Sequence, residues 1–136
     1  RFEPFARLYK ETLAKLGMPE LSVSVHSPGH VAETDDEAIE EACAGYEASF
    51  GKIGLERGWG PTSKEHFLSE VYHGSMYVGS PETVAKKIVH ALSSVGASRF
   101  DLKYDMGPLS HSKLSKSIEL YATKVVPMVR VMFETA

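Results

Sequence analysis

His26 is the first residue along the chain whose type and setting could do acid–base chemistry. It ends the run Leu21-Ser22-Val23-Ser24-Val25-His26, in which apolar and polar residues alternate strictly. Alternation puts its imidazole on one strand face with Ser22 and Ser24. An imidazole titrates near neutrality, so it can give or take a proton or hold a polar ligand; bonding to neighbouring backbone is the structural alternative. Asp101, Lys103 and Asp105 form a second polar strand face within Phe100-Asp101-Leu102-Lys103-Tyr104-Asp105-Met106. Buried charges are kept in pairs, so an internal Lys103 would be held by these acids. Gly79-Ser80 stands where a strand gives way to a helix, and helix N-termini attract phosphate. Ser80 is equally well explained as a helix cap. The six histidines suggest no metal centre. His26 and His30 are separated by Pro28-Gly29 and share no helical face, and His66, His73, His90 and His111 are scattered. Cys43 is alone, which leaves no disulfide framework and no cysteine-based zinc site, and makes a reducing, cytoplasmic setting the default.

The elements that must position these residues follow from periodicity and capping. Phe2, Phe5, Leu8, Tyr9, Leu13 and Leu16 recur at helical spacing over 2–17, with Gly17 and Pro19 to end the helix. A strand covers 21–26; Pro28 should make its pairing falter, with Val31-Ala32 as a possible extension. Thr34 and Glu37 form a capping box for a helix to about residue 57. Thr62-Ser63-Lys64-Glu65 opens a short helix near 63–71, and 75–78 is a short strand. Ser80-Pro81-Glu82 starts a helix that stops at Gly96. A strand over 100–106 and a last helix over 111–133, kinked or broken at Pro127, complete the order. Strands alternating with amphipathic helices predict an α/β fold with a parallel sheet. Three strands leave two bare edges, which suits part of a larger array better than a complete domain. The stretch 58–75, rich in glycine and holding a dispensable-looking helix, is expected to be a mobile insertion.

The chain has 136 residues, 43% hydrophobic and 24% charged, with a net charge of −3. That is one ordinary globular unit, here a single partial domain over 1–136, without the basic face a nucleic-acid binder needs and without an apolar run of membrane-spanning length. It opens on Arg1-Phe2-Glu3-Pro4 rather than methionine, which fits a piece of something longer.

These residues carry a resemblance. Val78-Gly79-Ser80-Pro81-Glu82-Thr83-Val84-Ala85-Lys86-Lys87-Ile88, then Gly96 through Arg99-Phe100, then Tyr104-Asp105-Met106-Gly107, then Ile118-Glu119-Leu120-Tyr121 to Val126-Pro127, stand in an order and spacing that resembles the C-terminal portion of the bacterial-luciferase-like flavin-dependent monooxygenase family. So do Val23 to Thr34 and the opening Arg1-Phe2 to Leu8-Tyr9.

The resemblance implies the C-terminal part of a (β/α)8 TIM-type barrel, with about three parallel strands corresponding to the sixth to eighth. Barrel sites lie at the C-terminal strand ends. It therefore makes His26 the catalytic candidate, Lys103 and Asp105 polar groups of the lumen, and Arg1, Gly79 and Ser80 candidates for the flavin phosphate. It implies reduced FMN supplied by a separate flavin reductase, O2 and a small organic substrate, with 58–75 helping to close the pocket. A deazaflavin-dependent hydride-transfer enzyme of the same barrel family is the close alternative. A non-catalytic half-barrel that self-associates through its open edges is the rival from another class. The isolated chain is expected to be inactive without the missing N-terminal half.

Overall fold

The computed structural model describes residues 2–105 and 107–135. The element order is α1 (Glu3–Lys15), β1 (Ser24–Val31), α2 (Asp35–Arg57), α3 (Lys64–His73), β2 (Tyr77–Gly79), α4 (Pro81–Val95), β3 (Arg99–Lys103), α5 (His111–Leu120), a π-helical turn (Tyr121–Val125) and α6 (Val126–Glu134). The expected caps form. Thr34 accepts from the Glu37 N–H at 3.2 Å, and Ser80 from the Thr83 N–H at 3.5 Å. At α3 the cap is Ser63, one residue later than the Thr62–Glu65 pattern suggests, accepting from the His66 N–H at 3.1 Å. Pro127 does break the last helix. Proline cannot donate to the preceding turn and its ring crowds that turn's carbonyl; the widened π turn just before it absorbs the conflict.

The three strands are parallel in the order β2-β1-β3. Two expectations change here. First, β1 begins at Ser24 and runs unbroken through Pro28 to Val31. Ser24 to Pro28 pair with Arg99 to Lys103 on one edge, and Gly29 to Val31 pair with Tyr77 to Gly79 on the other. Pro28 stands at the last rung of one ladder and just before the first rung of the other, where its missing N–H costs least. Second, three consecutive barrel strands would pair in sequence order, with β2 in the middle. Instead β1 is central. β1 and β3 can be neighbouring barrel strands, whereas the three-residue β2 meets only the end of β1.

Two cores explain this placement. Tyr77 faces one with Val31, Val84, Ala85, Ile88, Leu92, Leu120 and Val125, joined by Val25, Phe100 and Leu102. Val78 faces the other with Ala38, Ala42, Tyr46, Phe67, Val71 and Met76. β2 is thus covered by helices on both faces, unlike a barrel strand with one face to the lumen. The helix over 64–73, inside the stretch expected to be mobile, anchors the second core: Phe67 is fully buried and Val71 nearly so. Pairing across Gly29 is tight. A Cβ there would meet the Tyr77 carbonyl oxygen and lie 2.5 Å from Leu102 Cδ1. Gly29→Ala should therefore force the two ladders apart and cost about 3 kcal/mol, read as a lower urea midpoint, with exchange of the Tyr77–Gly79 amides accelerated first.

Much of the remaining apolar surface is bare. α1 buries no residue, and Phe5, Leu8 and Leu16 are 70%, 60% and 65% exposed. The apolar face read from its spacing is real but only partly covered: Tyr9 and Leu13 are half-buried where α1 meets α4, and the rest faces solvent. No helix among the described residues is long and apolar enough to cross a membrane.

Candidate functional site

The uncovered half of the sheet is the polar face read from the sequence. Side-chain alternation puts Ser24, His26, Pro28 and His30 on one side of β1 and Val25, Ser27, Gly29 and Val31 on the other. Register sets Ser24 against Arg99, His26 against Asp101 and Pro28 against Lys103. Neighbouring strands lie about 4.8 Å apart, so His26 and Asp101 are side by side. Both are reachable from solvent. Asp101 is gripped by Arg99, whose Nε and Nη2 donate to Oδ1 at 3.0 and 2.8 Å. The acid beside His26 is therefore an ion-pair member held to its own strand.

Lys103 is exposed at the C-terminal end of β3 and makes no ion pair among the described residues, so the expected pairing with Asp101 or Asp105 is replaced by Arg99–Asp101. Asp105 lies past the strand, which ends at Lys103, and accepts from the Gly107 N–H at 3.4 Å. Arg1 lies outside the described residues.

Gly79 and Ser80 sit at the N-terminus of α4, and the place for an anion there is taken. Asp35 Oδ1 accepts from the Ser80 N–H at 2.6 Å, and Oδ2 accepts from Thr83 Oγ1 at 3.0 Å. A Cβ at Gly79 would lie 2.8 Å from Asp35 Oδ1, so glycine lets the carboxylate approach. The positive end of the helix is thereby neutralised from within the fold. Burial raises the Asp35 carboxyl, but its bonds from Ser80 and Thr83 outweigh this and hold it below its ordinary value. A carboxyl depressed in the folded state contributes stability above its unfolded pKa and loses it as pH falls through the folded one. Asp35→Ala should cost about 1 kcal/mol at neutral pH and flatten the acid limb of a stability-versus-pH curve below 3.8.

At the C-terminal end of β1 stands a cluster that the sequence reading passed over. His30 is completely buried, and its Nε2 donates to Glu41 Oε2 of α2 at 2.7 Å. The other carboxylate oxygen receives Lys113 Nζ of α5 at 3.1 Å. One residue on, the Val31 N–H donates to buried Ser117 Oγ at 2.9 Å. The signals were present but dispersed. His30 is two alternations beyond His26, and Glu41 lies on the small-residue stripe Ala38–Ala42–Gly45 that α2 buries. No linear spacing links either to Lys113.

A cleft of about 900 Å³ lies elsewhere. Phe2, Val25, Ser27, Tyr77 and Lys87 are among its lining residues, along the free edge of β1, and His26 is not. Lys87 closes its floor by donating to the Val71, Met76 and Glu70 carbonyls at 2.7, 2.8 and 3.3 Å. Burial pushes its ammonium down to about 8 against the pull of Glu70. Its bonds are those of a cap for the last turn of α3. Among the described residues no group of three metal-ligating side chains occurs.

The sequence matches no protein-family model and no curated protein sequence. The fold matches solved structures. Monooxygenase RslO1 from Streptomyces bottropensis superposes with a TM-score of 0.70 at 16% identity, over 92% of this chain and 37% of that one. The oxygenating constituent of 3,6-diketocamphane monooxygenase from Pseudomonas putida, solved with FMN, gives 0.63 at 19% identity, over 91% and 38%. Long-chain alkane monooxygenase LadA gives 0.61 at 19% identity, over 96% and 34%. The chain therefore shares the fold of part of these structures, a partial (β/α)8 barrel, and spans little more than a third of the length of these neighbours.

Proposed function

We propose that the chain is the C-terminal part of a flavin-dependent monooxygenase that uses reduced FMN, supplied by a separate flavin reductase, and O2 on a small organic substrate. The observation that carries this reading is the neighbours' shared chemistry over more than nine-tenths of this chain: three of them are monooxygenases, and one of these was solved with FMN. His26 is the acid–base candidate, since it stands free on the uncovered polar face with Lys103 near the rim and Asp105 just past it. The bare edges of β1 and β3 and the uncovered part of the α1 face are where the rest of a barrel would pack. The isolated 136-residue chain is accordingly inactive in this reading.

The N-terminus of α4 does not fit the phosphate of FMN. The Gly79–Ser80 N–H position already holds a carboxylate, which would repel a phosphate dianion. The phosphate grip falls to Arg1 or to barrel segments outside this chain. What flavin supplies when bound is the oxidation chemistry.

The test is reconstitution of the intact gene product with FMN, a flavin reductase, NADH and O2. Flavin binding followed by fluorescence, with substrate-dependent O2 consumption, is the expected result. His26→Ala should then lower turnover by about 100-fold with flavin binding unchanged. A protein that binds no flavin overturns the reading. One that retains a deazaflavin, recognised by its absorbance, moves the chemistry to hydride transfer on the same barrel.

A further inference from the structure

His30 Nδ1 is the one buried side-chain polar atom without a hydrogen-bond partner among the described residues. Buried polar atoms are almost always paired, and an exception marks a missing partner or a chemical role. The neighbouring groups decide which tautomer the ring adopts. Glu41 is ionised: burial raises its carboxyl, but the bonds from His30 and Lys113 outweigh that and hold it low. A carboxylate only accepts, so His30 Nε2 carries the hydrogen of the 2.7 Å bond. In the neutral ring Nδ1 then presents a bare lone pair. Other elements supply nothing to it. The rung opposite His30 on β2 is apolar Val78, the nearest β3 rung is Lys103 opposite Pro28, and the adjacent backbone donor at Val31 is spent on Ser117.

We propose that His30 Nδ1 is an internal hydrogen-bond-accepting site for one O–H donor, an ordered water or the hydroxyl of a small alcohol, with Glu41 and Lys113 fixing the tautomer. The site lies at the C-terminal end of β1, the end at which barrels place their chemistry. The donor keeps its O–H bond and shares the hydrogen with the Nδ1 lone pair, while Nε2–H stays on the Glu41 carboxylate. Lys113 is half exposed and links the carboxylate to solvent. The inference stands on this chain's own side chains and does not depend on flavin binding.

Ring-¹⁵N histidine NMR of the intact gene product tests it, with His30→Gln, which keeps a donor for Glu41, assigning the signals. The expected spectrum at pH 7 has His30 protonated at Nε2, with an unprotonated Nδ1 shifted upfield by an accepted bond. If that shift is present without additive, the donor is water; if it appears only on titration with methanol or 1-butanol, the donor is an alcohol. Glu41→Gln should return the ring to mixed tautomers, and it provides the assignment should His30→Gln not fold. An Nδ1–H tautomer, or an Nδ1 that stays unbonded in water and in both alcohols, overturns the proposal.

Discussion

Phe67→Ala should destabilise the protein by about 4 kcal/mol and lower the melting temperature by roughly 14 °C. Phe67 has no exposed surface and packs tilted against the Tyr46 ring with centroids 5.0 Å apart, and Tyr46 itself stacks at 4.7 Å on Phe50. Truncation removes most of an aromatic side chain from a site walled by two helices and β2, which cannot collapse without shifting α3. The neighbouring His66 is exposed, and His66→Ala should stay within about 0.5 kcal/mol. The comparison separates two views of residues 58–75. A mobile flap would lose little from either change. A helix that completes the core would lose nearly all of the effect at one position and none at the next. Lys87 and the Ser75–Glu70 bonds at 2.9 Å tie the end of α3 to β2, so the truncation should also speed amide exchange in Tyr77–Gly79. Calorimetry with exchange mass spectrometry reads both. A shift under about 1 kcal/mol for Phe67→Ala would return α3 to the surface.

Local chemistry was legible in the sequence; partnership across the fold was not. Caps at Thr34, Ser80 and Ser110, the glycine stops at Gly58 and Gly96 with their left-handed backbone, and the break at Pro127 all depend on residues within a few positions of one another. Periodicity found the helix faces for the same reason. It could not tell how little of the α1 face is covered, because burial depends on what packs against it. The strand over Ser24–Val31 was cut short because Pro28 reads as a breaker, and only the switch of partner strand at that residue makes it harmless. The polar face containing His26 was found by alternation, whereas the Asp35 clamp spans 45 residues to Ser80 and the His30–Glu41 bond joins a strand to a helix. Such contacts are set by topology, and β2-β1-β3 is an order that no local signal dictates.

Removal of the Glu41 carboxylate is the second large effect expected. Glu41→Ala should cost about 3 kcal/mol, because it leaves the Nε2–H of the fully buried His30 without its acceptor and Lys113 without its ion-pair partner. Lys113→Ala should cost less than about 1 kcal/mol, since that side chain is 50% exposed and water replaces the lost contact. The asymmetry follows from burial: the same carboxylate is bonded on one side to a desolvated imidazole and on the other to a hydrated ammonium. Salt should weaken the Lys113 contribution and leave the His30 contribution largely intact. The pH dependence has a definite sign. Glu41 is depressed in the folded protein, so its contribution is complete above the ordinary glutamate value of 4.5 and is lost as pH falls through the lower, folded value. Glu41→Gln, which keeps the shape and one acceptor, should recover part of the loss at pH 7 and remove this acid-dependent component. Urea midpoints of the four proteins at pH 7 and pH 4, at low and high salt, measure all of this. Equal losses for Glu41→Ala and Lys113→Ala would mean that the His30 bond contributes nothing, and that α2 is joined to β1 by apolar packing alone.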